Sequence, residues 1–192
     1  MKNGTRFFAL LSLAMLLFVG FAFAGEVPAS QEETPGMVVT SESINEAGRL
    51  LTVTAANRSP NRPRGENVSP QLTFTPVEGA ACYAIIMFDT KANWLHGLVT
   101  DVTETELEQG AYMGTKQYIG PYPPKGTGDH PYRVEVFALK AAPDKVIGKM
   151  NAKNNYEKMV TGLDTANGEA GNILLRGHVE GLYAYGDATE KD

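Results

Sequence analysis

The sequence predicts a mainly β protein, an antiparallel sandwich or barrel with one or two C-terminal helices. Three observations carry that reading. Short runs rich in β-branched and aromatic residues recur through the first three quarters of the 192 residues, turn formers separate them, and helical periodicity is confined to the last quarter.

The elements follow in order. "MKNGTRFFALLSLAMLLFVGFAFAGEV" has a basic start (Lys2, Arg6), an apolar run from Phe7 to Phe21, and Ala22 and Ala24 flanking Phe23. That is the three-part pattern of a secretory signal over residues 1–24, cleaved after Ala24. The competing reading is an uncleaved anchor, because the apolar run approaches spanning length. No cysteine follows the site, so neither a lipid anchor nor any stable membrane anchor is expected after cleavage, and the destination is periplasmic or secreted. Residues 25–35, "GEVPASQEETP", read as a flexible leader, and 36–192 as a single domain large enough for a sizeable core.

Strand candidates are "MVVTSES" (37–43), "LLTVTAA" (50–56), "QLTFT" (71–75), "CYAIIMF" (82–88), "LHGLVTDV" (95–102) and "YRVEVFAL" (132–139). Two later stretches, "NNYEKMVTGL" and "NILLRGHVEGLYAYG", read as helices. In the second, Ile173, Leu174, His178, Leu182 and Tyr185 fall near one helical face. His178 has no polar partner in sequence there, so a surface or core-edge position is expected.

Charge and cysteine content exclude several functions. Loss of Lys2 and Arg6 with the signal takes the net charge from −5 to −7, a poor balance for binding nucleic acid or anionic lipid. Cys82 is the sole cysteine, so no internal disulfide can form, and its apolar surroundings predict a buried, unreactive thiol. The Asn-x-Ser/Thr triplets at Asn3, Asn57 and Asn67 matter only in a glycosylating secretory pathway.

Strand parity singles out the polar residues. Asp89 ends a row with Ile85 and Met87, Trp94 and His96 share a face with Leu98 and Thr100, and His130 and Tyr132 share one with Val134 and Val136. If these strands are neighbours, Asp89, His96, His130 and Tyr132 meet at one end of the fold. Above them lies "YIGPYPPKGTGDHP", whose prolines and glycines shape the backbone. A carboxylate that orients an imidazole, beside glycine N–H groups, suits an anion. "PPKGTG" is no phosphate-binding P-loop, since it lacks the G-x-x-x-x-G-K-[ST] spacing and leads into a strand.

The ordered blocks "GENVSPQLTFTPVEGAACYAIIMFD", "WLHGLV" and "YIGPYPPKGTGDHPYRVEVFAL" resemble the phosphatidylethanolamine-binding protein family, called Raf-kinase-inhibitor-like in bacteria. The resemblance is close over about residues 65–140, and "GNILLRGHVEGLYAYG" looks like the family's C-terminal helix. It implies an antiparallel β-sandwich with peripheral helices and an anion pocket at one end. By resemblance, Asp89 matches the first acid of D-P-D-x-P, His96 the strand histidine and His130 the histidine of G-x-H-R. Trp94 and Tyr132 match pocket aromatics, Gly120 the glycine whose backbone approaches the anion, Pro124 a rim proline, and Tyr183 a residue near the mouth. Two departures stand out: "DTKAN" puts Lys91 where the family has its second acid, and "GDHP" puts Pro131 where it has arginine. An ion pair between Lys91 and Asp129 is the expected compensation.

The function expected is binding of a small anionic ligand, a phosphate or phosphorylated head group, with no turnover, no cofactor and no resident metal. The alternative is an inhibitor or regulator of a partner protein, of protease or kinase type, acting through the 118–130 loop. Catalysis or metal binding by the two histidines and Asp89 is the third reading. No H-E-x-x-H, no G-x-S-x-G and no activated nucleophile supports it.

Overall fold

The computed structural model describes residues 36–58, 63–114 and 116–189, so the signal and leader assigned to 1–35 lie outside the described residues. The strands are β1 (Val39–Thr40), β2 (Leu72–Phe74), β3 (Cys82–Asp89), β4 (Trp94–Val102), β5 (Glu106–Leu107), β6 (His130–Leu139), β7 (Thr165–Ala166), β8 (Glu169–Ala170) and β9 (Ile173–Tyr183), with α1 (Tyr156–Leu163) between β6 and β7. Strands β4-β3-β6-β9 form an antiparallel sheet, and β1-β2-β5 form a smaller one. Among the described residues no helix is long and apolar enough to cross a membrane.

All eight residues of β3 are buried, which explains why "CYAIIMF" shows no alternation: the strand is covered on both faces. On one face Ile85 and Met87, with Val134 and Val136 of β6, pack against Val39, Leu72, Phe74 and Leu107 of the small sheet. This is the sandwich. On the other, Ala84, Ile86 and Phe88 meet Met159 and Leu163 of α1. Each fully buried side chain of this size contributes about 1.5–3 kcal/mol. The helix starts where Asn155 accepts from the Lys158 N–H at 3.0 Å, and Met159 and Leu163, four apart, turn inward.

Two expected elements differ. Residues 50–56 are not a strand but a turn, Thr52–Thr54, closed by bonds from the Thr54 N–H and hydroxyl to the Leu51 carbonyl. The stretch 172–186 is not a second helix: β9 runs through it, pairing with the full length of β6. The reason lies in its inward positions. Gly177, Val179, Gly181 and Tyr183 alternate along the buried side, and two of the four carry no side chain to register as apolar. The remaining Leu, Ile, His and Tyr residues then mimicked a helical stripe. The glycines are required by close approach: a Cβ on Gly177 would sit 2.2 Å from the Met37 carbonyl oxygen, and one on Gly181 would sit 2.9 Å from Leu50 Cγ. Between α1 and β9 the dipeptide Asn167-Gly168, both at positive φ, makes the β7-β8 hairpin that redirects the chain.

Gly177→Ala should therefore destabilise the protein by about 1–3 kcal/mol, since backbone at Met37 must move. Urea unfolding measures this. An unchanged midpoint would show that the β1 edge yields freely.

Candidate functional site

Antiparallel register sets one row across the sheet: Trp94 of β4, Asp89 of β3, Tyr132 of β6 and Gly181 of β9. Asp89 is buried at the end of β3. Its Oδ1 accepts from the Lys91 and Ala92 N–H groups at 3.0 and 2.9 Å, closing the turn into β4, and its Oδ2 lies 2.6 Å from His130 Nδ1. The carboxylate thus folds the hairpin and aims the imidazole. His130 Nε2 lies 2.9 Å from Thr127 Oγ1, which is 2.8 Å from the Pro124 carbonyl. The Asp89 carboxylate only accepts, so His130 Nδ1 donates to it and Nε2 is left facing the Thr127 hydroxyl.

The loop above is tied down differently from expectation. Lys91 Nζ donates to the carbonyl oxygens of Thr127 and Asp129 at 2.6 and 2.9 Å, while the Asp129 carboxylate takes Arg49 Nη2 at 2.8 Å. No salt bridge joins Lys91 to the Asp129 carboxylate: Arg49, itself held by Asp187, binds Asp129 Oδ1, and Lys91 acts on that carboxylate only through its longer-range charge. Arg49 holds the Asp129 carboxyl below its ordinary value. Pro131 falls at the second residue of β6, where its carbonyl still accepts from the Thr90 N–H at 3.1 Å.

His96 reaches the site through an irregularity. Phe88 pairs with Leu95 and Met87 with Gly97, which leaves His96 as an extra residue, a β-bulge. The bulge also overturns the expected parity of β4: Leu98 packs on the α1 side with Ile86, and Val99 joins the sandwich core with Ile85. His96 Nδ1 donates to the Ile119 carbonyl at 2.8 Å, and the ring sits edge-on to Tyr132 and Tyr122, with centroids 5.0 and 5.7 Å away. Burial pushes its imidazole down to about 4, opposed less strongly by the Ile119 carbonyl. At neutral pH His96 is uncharged, and its Nε2 presents a lone pair.

These groups surround a cavity of about 350 Å³. Of the residues expected at the site, Asp89, Trp94, His96, Pro124, His130 and Tyr132 line it. Gly120 and Tyr183 do not. Gly120 is a packing glycine, since a Cβ there would lie 2.1 Å from the Thr54 carbonyl oxygen, and its N–H donates to Asn67 Oδ1 at 3.0 Å. Tyr183 is fully buried on β9 as the cross-strand partner of His130, its hydroxyl donating to the Asp187 carbonyl at 3.2 Å. The wall also includes Ala92, Tyr122, Pro123, Thr127 and Lys153, which sequence reasoning missed. Tyr122, Pro123 and Thr127 lie inside the loop already singled out, so its odd aromatic was the available signal. Lys153 arrives because residues 151–154 lie along the start of β4, with Leu95 and Ala152 bonded at 3.0 Å, a contact nothing local announces. There Asn151 Oδ1 accepts from Tyr122 Oη, from Trp94 Nε1 at 3.3 Å and from Arg58 Nη2 at 3.0 Å. Among the described residues no group of three His, Cys, Asp or Glu side chains is placed to hold a metal ion. Cys82 is buried in β3, and burial raises its thiol.

His96 makes stability depend on pH. Unfolded, the ring takes a proton near its ordinary 6.5; folded, it refuses one until about 4. Stability is therefore intact above 6.5 and falls as pH drops through that window, by about 3 kcal/mol from this residue. Denaturant unfolding at neutral pH and near the lower limit should show that difference shrinking by a similar amount in His96→Gln. An undiminished difference would place the acid sensitivity elsewhere.

The family model for phosphatidylethanolamine-binding protein matches residues 40–183. A Mycobacterium tuberculosis protein named as a lipoprotein, LppC, is 26% identical over 160 residues, spanning 69% of this chain and 80% of its own. A UPF0098 protein of Mycobacterium bovis is 25% identical over 157 residues, spanning 70% and 78%. Among solved structures, Escherichia coli YbcL, described as a new member of the mammalian phosphatidylethanolamine-binding protein family, superposes with a TM-score of 0.58 at 23% identity, over 78% of this chain and 98% of that one. A Chlamydia trachomatis homologue, CT736, gives 0.55 at 18% identity, over 78% and 97%. The solved structures share the fold, and the match over residues 40–183 goes further: the chain belongs to the phosphatidylethanolamine-binding protein family.

Proposed function

We propose that this protein is an exported, non-catalytic receptor for a small oxyanion carrying an organic group, a phosphomonoester such as a phosphorylated head group. The observation that carries the proposal is the pair of histidines in one cavity. Asp89 fixes His130 Nδ1 so that Nε2 lies beside Thr127 Oγ1 at the wall, and neutral His96 offers a lone pair. A singly protonated phosphate has both acceptor oxygens and a P–O–H donor, so it can meet each ring nitrogen in either role. Trp94, Tyr122, Pro123 and Tyr132 supply apolar wall for the rest of the molecule, and Lys153 adds a positive charge. The volume is in the range of organic-ligand pockets rather than that of a bare ion. Turnover is no part of the proposal, because Asp89 has its oxygens committed to His130 and the turn and so is no free base.

Export is proposed from the amino-terminal sequence pattern and from the lipoprotein name of the mycobacterial relative. Acylation is not proposed, since the single cysteine, Cys82, is buried within β3. The alternative, a regulator docking through the 118–130 loop, has in its favour the exposure of the side chains from Pro124 to Asp129.

NMR titration with phosphate and phosphoethanolamine should shift residues of the cavity wall, with phosphoethanolamine the tighter. His130→Ala should weaken binding about ten- to hundredfold, the value of one hydrogen bond to a charged group. Shifts that persist unchanged in both His96→Ala and His130→Ala would reject the pocket as the site.

A further inference from the structure

Trp94, at the start of β4, and Tyr122, in the loop before β6, supply two rings of the histidine cavity's wall, and both side chains are only half-buried. Their polar atoms converge on a single acceptor. Asn151 Oδ1 takes the Tyr122 hydroxyl, Trp94 Nε1 at 3.3 Å and Arg58 Nη2 at 3.0 Å. Indole and guanidinium N–H groups only donate, so the carboxamide presents its oxygen to them, and the Tyr122 hydroxyl, sharing that oxygen, donates as well. An amide oxygen has two lone pairs, and this one meets three donors. Arg58 is also held a second way, its guanidinium carbon lying over the Tyr122 ring, 4.7 Å from the centroid.

Asn151 is itself firmly placed. Its φ of 56° lies in the left-handed region, which asparagine tolerates better than most residues. The Asn151 N–H donates to the Leu95 carbonyl and the Leu95 N–H to the Ala152 carbonyl, both at 3.0 Å, which fastens this turn to β4 beside Trp94. Asn154 closes the turn from within: its Oδ1 accepts from the Lys149 N–H at 2.7 Å, and its Nδ2 donates to the Lys149 and Ala152 carbonyls at 2.8 Å. The carboxamide is the fixed point, and the two rings are the movable parts.

Without that oxygen the indole N–H and the phenol would turn toward water for partners, and each ring would gain other rotamers. The anion end of the cavity is held by different bonds: Asp89 sets His130, and the Ile119 carbonyl sets His96. We propose, resting on the phosphomonoester reading of this cavity, that Asn151, which does not line it, is the positioning residue of its aromatic wall. Through Trp94 and Tyr122 it sets how strongly the cavity prefers an organic phosphomonoester to bare phosphate.

Trp94 is the only tryptophan in the chain, so its fluorescence reports the wall with or without ligand. Asn151→Gly removes the carboxamide and keeps a residue that accepts the backbone conformation, whereas Asn151→Asp keeps the acceptor. In Asn151→Gly the Trp94 emission should move to longer wavelength and be quenched more readily by acrylamide, while Asn151→Asp should resemble the native protein. In NMR titrations, the ratio of the phosphate to the phosphoethanolamine dissociation constant should fall about fivefold in Asn151→Gly, the worth of one neutral hydrogen bond, with the phosphate constant within about twofold of native. Asn151→Asp should restore the ratio. Unchanged Trp94 emission and quenching in Asn151→Gly would overturn the proposal, and so would equal weakening of both ligands, which marks a general structural role. Binding of neither ligand by the native protein would reject the phosphomonoester reading and the selectivity with it, and the fluorescence would still decide whether Asn151 fixes the wall.

Discussion

The buried carboxylate of Asp89 is the constraint around which this end of the molecule is arranged. A charge taken out of water is tolerated only when its lone pairs are met, and here three partners meet them: the N–H groups of Lys91 and Ala92, and His130 Nδ1. Each bond has a structural result. The first two set the turn that brings Trp94 back beside Asp89, and the third fixes the rotation of His130 and hence where its Nε2 points. A partner removed would leave an uncompensated buried charge, a loss of about 3–5 kcal/mol. The family-divergent Lys91 fits this arrangement: its N–H serves the carboxylate, and its ammonium group holds the loop carbonyls above.

The two faces of the central sheet solve burial differently. On the sandwich side, polar groups are collected at one end and the rest is apolar, so the cavity there is bounded by aromatic rings and prolines. On the α1 side, Arg133 and Glu135 stand beside apolar residues of β3 and β6, each paired with a residue of β9, Glu180 and Arg176, and with Phe88 and Tyr156 they bound a smaller cavity. The end of β3 separates the two cavities. Strand alternation alone is enough to give adjacent residues, Phe88, Asp89 and Thr90, to different chambers.

Much of the fold was legible because it rests on residues with strong local signals. The strands at 82–88, 95–102 and 132–139 declare themselves by β-branched and aromatic content, and parity correctly aligned Asp89 with Tyr132. What parity could not carry was any feature that breaks its count. A bulge leaves no mark in a single sequence, so the face assigned to Leu98 was lost at His96. Glycine has no hydrophobicity to alternate, so β9 passed for a helix although Gly177 and Gly181 stand where a side chain would collide with the neighbouring chain. The site was legible where one strand end or one loop supplied its members. It was not where distant chain segments did: Lys153 and Asn151 reach the wall only through the packing of residues 151–154 along β4.

The bulge has a consequence for how this site relates to its scaffold. Because His96 has no partner on β3, Phe88–Leu95 and Met87–Gly97 would be consecutive pairs in a regular sheet without it. Toward β3 the histidine is an insertion that the ladder accommodates rather than a rung that it needs. On its other side it is tied to the loop, its carbonyl accepting from the Ile119 N–H and its Nδ1 donating to the Ile119 carbonyl, each at 2.8 Å. A single codon therefore serves recognition and loop anchoring while standing outside the β3–β4 register.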